Sequence, residues 1–397
     1  ECKIFINASS RSSKTIKIFD INGNIVDEIT STIFPQNINS TRPWENGFNY
    51  ELTVKYSIPN LPSGFYFIAN KIPLIIKSKK IKPITLVYPS NTINAYNNLG
   101  GKSFYGYNSS NKKESNIVSF LRPMEFADAY SSKEFYKWIS ALYGDKINFI
   151  CDKDLDSLDS YKNSKILLIP GHNEYWTRKA RVNFDHYINN GGHSVILSGN
   201  SMWWQIRYDS ISNKMICFKD FDEDPIDEPL YKTSLWTDKR LKYPIINSIG
   251  ANFDYGGYGK KEDNGFDGYK IVSPNSPLLD KTGLKFGDIL HLPTVEFDGA
   301  PIQGFTKDSI PILDKSLIHF YKTNLIGYDF GFRNKKQTVG TFILFQRHPN
   351  SGIIINTCST DWCSKKSMEG SYSEIIKKIT TNIINKLIND KEVFIKD

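Results

Sequence analysis

The 397-residue chain is 40% hydrophobic and 14% aromatic, ample for folded cores and long enough for two or three domains, which excludes a disordered or fibrous protein. Its formal charge of +8 comes from lysines scattered through the sequence rather than gathered into a basic stripe, which argues against nucleic acid as a partner. No apolar run reaches the about 18 residues of a membrane-spanning helix, and five dispersed cysteines with no CxxC pair describe reduced thiols rather than a disulfide framework.

From Lys14 to about Lys80 the pattern is that of β-strands. KTIKIFDI and NIVDEI flank Asn22-Gly23, a type I′ hairpin signal, and YELTVKYSIP, GFYFIA and IPLIIK follow with turn residues between them. The expectation is a β-sandwich of roughly five to seven strands over residues 1–80. From ITLVYP, Ile84 to Pro89, the order becomes apolar strand, loop, amphipathic helix, apolar strand, so residues 81–397 are expected to form an α/β domain. EFYKWISALYG reads as a helix, INFIC as a strand, and KILLIP, Lys165 to Pro170, as a strand buried on both faces of a mostly parallel sheet flanked by helices. Thr177 caps a helix with Ala180, Phe184, Tyr187 and Ile188 on its apolar face; Gly191-Gly192 ends it, and SVILS makes the next strand.

In such a β-α-β unit ligands gather beyond the carboxyl ends of the strands. GHNEYW, Gly171 to Trp176, and GNSMWW, Gly199 to Trp204, both leave strands at that edge. Residues 208–300 read as long loop excursions over the sheet, including NFDYGGYGKKEDNGFDG, Asn252 to Gly268. Strands return in GTFILFQ and GIIINT, and the chain ends on a helix with Ile375, Ile379, Ile383 and Leu387 at steps of four.

The chemistry is narrower. There is no G-x-S-x-G elbow and no phosphate-binding glycine loop in strand-helix context. In GHNEYW, His172 can orient a ligand or shuttle protons, Glu174 can act as a general base, and Tyr175 can donate a hydrogen bond or bind a hard cation. The competing reading is that Tyr175 and Trp176 pack beneath the helix. Glu296 and Asp298 in TVEFDGAP form a second acidic pair, weighed against a simple turn, and Asn200 is open in the same way. Cys151 ends a strand where a nucleophile can sit, or is a small core residue. Cys358 and Cys363 have no further ligand at zinc spacing.

LPSGFYF, NAYNNLGGKSFYGY, VSFLRP, WISALYG, GHNEYWT, GGHSVILSGNSMWW, VEFDGAP and STDWC, in that order, resemble the large (β) subunit of the N,N-dimethylformamidase family. The resemblance implies a β-sandwich followed by a class I glutamine-amidotransferase-like α/β domain with long loop insertions. It also implies a metal-dependent amidohydrolase whose iron is held by two tyrosines and a glutamate. Tyr175 matches one tyrosine; the second position falls near SKEFYKW, where Glu134 and Tyr136 stand, and the glutamate falls near Glu228 or Asp227.

Two functions are therefore expected. One is hydrolysis of an amide C–N bond with water activated near Tyr175, with His172, Glu174, Asn200 and Glu296 around it and iron on Tyr175, Glu134 or Tyr136, and Glu228. The other is a non-catalytic or divergent relative that binds a sugar or other polar ligand against Trp176, Trp203 and Trp204. Beside these two stands a third reading, in which Cys151 or another cysteine next to a histidine is the nucleophile. The expected partner is a small-molecule substrate, with a homo-oligomer or a small accessory subunit left open, and the expected compartment is cytoplasmic, an exported form also staying open.

Overall fold

The computed structural model describes residues 1–130, 132–209, 211–259, 266–292 and 294–395. Residues 260–265 of the expected Asn252–Gly268 loop lie outside them. Ser12–Asp20 and Ile25–Ile33 pair antiparallel, as the hairpin signal predicts. The turn is not type I′, however, because of Asn22 and Gly23 only the glycine has positive φ, at 91°. The Asp20 carboxylate instead accepts the backbone N–H groups of Asn22 and Asn24, at 2.9 and 2.8 Å, and sets a wider loop with a register shift in the strands.

Gly64–Ile68 and Ile72–Ile76 complete a four-stranded antiparallel sheet, and Cys2–Ile4 pairs with Val54–Tyr56 as a separate ribbon. Alternation along Gly64–Ile68 gives that strand two jobs. Tyr66 and Ile68 face a small cluster with Ile4, Ile16, Ile18 and Tyr56, so the ribbon packs on one face of the sheet. Phe65 and Phe67 face the other way into the largest core, where Phe65 stacks on Tyr136 with ring centroids 4.9 Å apart.

Five strands of the main sheet run parallel, and we number them β1 (Ile84–Tyr88), β2 (Ile147–Cys151), β3 (Ile166–His172), β4 (His193–Gly199) and β5 (Ile353–Asn356). Their spatial order is β2-β1-β3-β4-β5. The chain runs from β1 to β2 on one side and then crosses to β3 on the other, so a crevice opens between the carboxyl ends of β1 and β3. The expected cap is present: Thr177 Oγ1 accepts the Ala180 N–H at 3.0 Å and starts the Arg178–Asn189 helix between β3 and β4.

The sheet is mixed rather than mostly parallel, which corrects the expectation. Among the described residues it has 11 strands. Lys336–Gln346 pairs antiparallel to β5, then Lys322–Arg333, Gly268–Ile271 and Ile289–His291 extend the sheet, with Asn252–Tyr258 and Glu296–Gly299 attached. Asn252–Tyr258, Gly268–Ile271, Ile289–His291 and Glu296–Gly299, within what reads as loop over 208–300, are therefore strand. Glycines concealed it: a Cβ at Gly256 would stand 2.0 Å from Phe297 O, so glycine there permits close strand approach rather than a turn. The final helix, Ser373–Ile388, buries Ile376, Ile379, Ile383, Ile384 and Leu387 against the sheet. Among the described residues no helix is long and apolar enough to cross a membrane.

Candidate functional site

The carboxyl ends of the parallel strands deliver their polar residues to one edge. The segment after β1 carries Tyr96, at the end of the Ser90–Tyr96 helix, and Tyr105; β3 ends at His172 and continues into Asn173, Glu174 and Tyr175. The turn after β4 supplies Asn200, and the chain beyond β5 supplies Asp361. Glu296 and Asp298 come from the antiparallel Glu296–Gly299 strand, not from a turn. Gly199 allows this crossing, since a Cβ there would lie 2.7 Å from Glu296 O and 2.6 Å from Thr360 N.

His172 Nε2 lies 3.5 Å from Glu174 Oε2 and 3.5 Å from Glu296 Oε2, and no described residue hydrogen-bonds to it. The backbone N–H of His172 donates to Tyr130 O at 2.9 Å, which fixes the end of β3. Glu174 is buried and heavily held. It accepts Tyr96 OH at 3.1 Å, Tyr105 OH at 2.9 and 3.1 Å, and Trp204 Nε1 at 2.9 Å, while its own N–H donates to Thr92 Oγ1 at 2.9 Å. Burial raises its carboxyl above the ordinary range and the Glu296 charge adds to this, against His172, Lys219 and the Tyr105 hydrogen bond.

Glu296 is the more accessible carboxylate, its side chain 17% exposed. Asn200 Nδ2 donates to its Oε2 at 2.9 Å. Asn200 has a left-handed backbone, φ 49°, and its turn is pinned from below: Asp298 accepts the N–H groups of Asn200 and Ser201 at 3.0 and 3.1 Å. Burial pushes the Asp298 carboxyl up to about 8. A second buried acid, Asp152 just after β2, accepts Asn91 N–H at 2.7 Å and Asn173 Nδ2 at 3.0 Å, and burial pushes it up to about 7.

Lys219 completes the wall. Its Nζ sits 3.4 Å from the Tyr105 ring centroid and 5.0 Å from that of Trp204, and donates to Phe104 O at 2.8 Å. Burial lowers its pKa. Tyr96 stacks on Tyr105 and leans on Tyr130, with centroids 4.2 and 4.7 Å apart, and Tyr105 leads to Tyr107, which is 74% exposed. A chain of tyrosine rings thus runs from buried Glu174 to the surface.

The structure brings together His172, Glu174, Asn200 and Glu296, and sets Tyr175 beside them through a 2.6 Å hydrogen bond from its hydroxyl to Tyr105 OH. The other residues assigned to iron by resemblance lie elsewhere. Glu134 accepts Ser132 Oγ at 2.9 Å at the start of its helix, Tyr136 stacks in the core on Phe65, and Glu228 is exposed, as is Asp227. Tyr175 is buried whereas Glu228 is exposed, and burial together with the Glu174 charge raises the Tyr175 phenol well above its ordinary value. Among the described residues no group of three or more His, Cys, Asp or Glu side chains is arranged to hold a metal ion. That ligand set does not fit iron.

Two further expectations are corrected. Trp176 and Trp203 are core residues rather than pocket walls, and Trp176 Nε1 donates to Asn173 Oδ1 at 2.6 Å; of the three indole rings, that of Trp204 donates to the Glu174 carboxylate. Cys151 lies beside Asp152 and Asp154, and burial with those carboxylates pushes its thiol up to about 12, opposite to what a nucleophile requires. Sequence reasoning missed Tyr96, Tyr105, Lys219 and Asp361. The signal for the first two was the NAYNNLGGKSFYGY segment directly after β1, a long polar-aromatic stretch at the functional edge of the sheet.

A family model described as N,N-dimethylformamidase beta subunit-like, C-terminal, matches residues 23–371. No curated protein matches. A solved β-galactosidase from Bacillus circulans sp. alkalophilus is 10% identical, with a TM-score of 0.37 over 79% of this chain and 32% of that one. A ThuA-like protein from Bacteroides uniformis is 8% identical, with a TM-score of 0.34 over 78% of this chain and 93% of that one. This chain spans about a third of the galactosidase's length, and neither likeness carries an argument about fold or activity.

Proposed function

For a chain that belongs to the N,N-dimethylformamidase beta subunit-like, C-terminal family, we propose hydrolysis of an amide C–N bond at His172 and Glu296, with Glu174 as the group that positions the histidine. The observation that carries this reading is His172 Nε2 suspended 3.5 Å from each of two carboxylates. Such an arrangement suits proton transfer, because Nε2 can take a proton from one carboxylate and release it to a ligand while the other carboxylate stays fixed beside it.

In this reading Glu296, the carboxylate nearer solvent, takes a proton from water as the water oxygen bonds to the amide carbon. Glu296 passes that proton to His172 Nε2, 3.5 Å away, which gives it to the leaving nitrogen as the C–N bond breaks, yielding a carboxylic acid and an amine and returning both residues to their starting states. Glu174 stays in place, its oxygens committed to Tyr96, Tyr105 and Trp204. No step is routed through iron, since the residues implied for it do not gather.

The test is release of formate or acetate from small amides, followed by proton NMR, for wild type, His172→Gln and Glu296→Gln. Each variant is expected to lose at least about a hundredfold in kcat/KM, with its circular dichroism unchanged; wild-type rates in both variants would sink the assignment. The second reading, binding of a polar ligand without turnover, draws support from the tyrosine rings that lead out to exposed Tyr107. It predicts saturable binding and no product.

A further inference from the structure

We propose that a cavity sharing no lining residue with the His172 site binds a small organic carboxylate. It holds about 580 Å³ and lies between residues 236–247, the start of the Asn252–Tyr258 strand and residues 316–319. That volume falls in the range of about 300 to 1,000 Å³ that suits small-molecule ligands. The proposal does not rest on the amide-hydrolase reading, since none of these residues takes part in it.

The wall of the cavity offers donors whose partners are missing. Two carboxylates line it, and each is already held by an arginine: Asp238 accepts the Arg240 N–H at 2.9 Å, Nε at 3.0 Å and Nη2 at 2.7 Å, and Asp254 lies 3.0 Å from Arg333 Nη1. Lys239 and Lys242, on the same wall, meet no carboxylate among the described residues. Asn252, 4% exposed, spends its Oδ1 on the Tyr255 N–H at 3.1 Å, so the group it has left is the donor Nδ2.

Trp236 supplies the observation that calls for a ligand. It belongs to the wall and is 1% exposed, and its Nε1 is buried without an acceptor among the described residues. A buried N–H left unpaired is costly, and a ligand that brings an acceptor to it recovers that cost. The surrounding charge decides which acceptor. The Arg181 guanidinium lies over the Trp236 ring, 4.3 Å from its centroid, while Asp185 is engaged by Arg347, Tyr243 and Ser248. With two unpaired ammonium groups added, the wall favours an anion over a neutral carbonyl. Pro244, Ile245, Ile246 and Leu317 give the same cavity an apolar side, which suits a carboxylate on an apolar body better than a bare ion.

Benzoate, its neutral analogue benzamide and inorganic phosphate are the probes. The indole N–H signals of the full chain are followed by NMR, and that of Trp236 is identified as the one lost in Trp236→Phe. Benzoate is expected to move this signal downfield and saturably, to bind about tenfold or more tighter than benzamide, and to weaken by about tenfold in the double variant Lys239→Gln, Lys242→Gln. Phosphate is expected to bind more weakly than benzoate. A Trp236 signal that benzoate leaves in place overturns the proposal, as does equal affinity for benzamide or unchanged affinity in the lysine variant. Tighter binding of phosphate overturns the choice of an organic carboxylate. If Trp236→Phe does not fold, calorimetric titration of the wild type and the lysine variant with the three probes decides by the same ratios.

Discussion

His172 owes its setting to what surrounds it rather than to its own contacts. Glu174 is immobilised by Tyr96, Tyr105 and Trp204, and Glu296 by Asn200, so the imidazole meets two carboxylates whose positions are settled before any ligand arrives. Beneath them lie two buried acids, and these give a prediction about pH. Asp152 ionises near about 4 in an unfolded chain, but burial holds its proton up to about 7 in the fold, and Asp298 up to about 8. Between the unfolded and folded values the native state binds more protons, so the stability is complete at acid pH below that window and falls as pH rises through about 7. His193, whose pKa burial lowers, works in the opposite sense, so the informative quantity is a difference between proteins. Melting temperatures of wild type and Asp152→Asn from pH 5 to 8 are expected to diverge, the wild type losing relatively more as pH rises. Parallel curves would show that Asp152 does not hold its proton. The sequence marked His172, Glu174 and Asn200 because each follows a recognisable strand. It could not mark Lys219, whose role arises from a segment distant in the chain that meets Tyr105 only in the fold.

The Arg178–Asn189 helix begins just after GHNEYW and connects β3 to β4. Thr177 starts it, accepting Ala180 N–H at 3.0 Å and donating to Asp156. Thr177→Ala is expected to cost about 1 kcal/mol in urea unfolding; a change within error would mean that packing of Phe184, Tyr187 and Ile188 sets the helix start unaided. This element was legible from its period and its Thr177 cap, the final helix from its apolar steps of four, and the parallel strands as short continuous apolar runs. The Asn252–Tyr258 and Glu296–Gly299 strands were not. Their glycines and acids carry the signature of loops, and they are strands because they pair with each other and the sheet, a long-range cause that no local pattern reveals.

At the scale of the molecule, the N-terminal sheet is joined to the α/β layer by a shared core. The sequence places a boundary near residue 80, and we propose that partition as one of fold units, although Phe65 and Phe67 cross it to pack with Tyr88, Phe126 and Tyr136. Phe65→Ala removes a buried ring from that junction and is expected to cost about 3 to 5 kcal/mol. Denaturant unfolding with one transition in both proteins is the expected readout; loss of under about 1 kcal/mol, or separation into two transitions in the wild type, would mean that the two parts are stable independently. Docking of the sheet has a functional bearing, because Tyr88 ends β1 and the segment that follows it delivers Tyr96 and Tyr105 to the site.

The central claim is that Glu296 and His172 move protons in amide hydrolysis, and the most direct measurement is formate release from a small formamide by wild type and Glu296→Gln under saturating substrate. The account predicts steady release by the wild type and a fall in kcat of at least about a hundredfold in the variant, with binding of the amide retained. Turnover by Glu296→Gln at the wild-type rate would contradict it, and so would a wild-type protein that binds the amide and releases no formate.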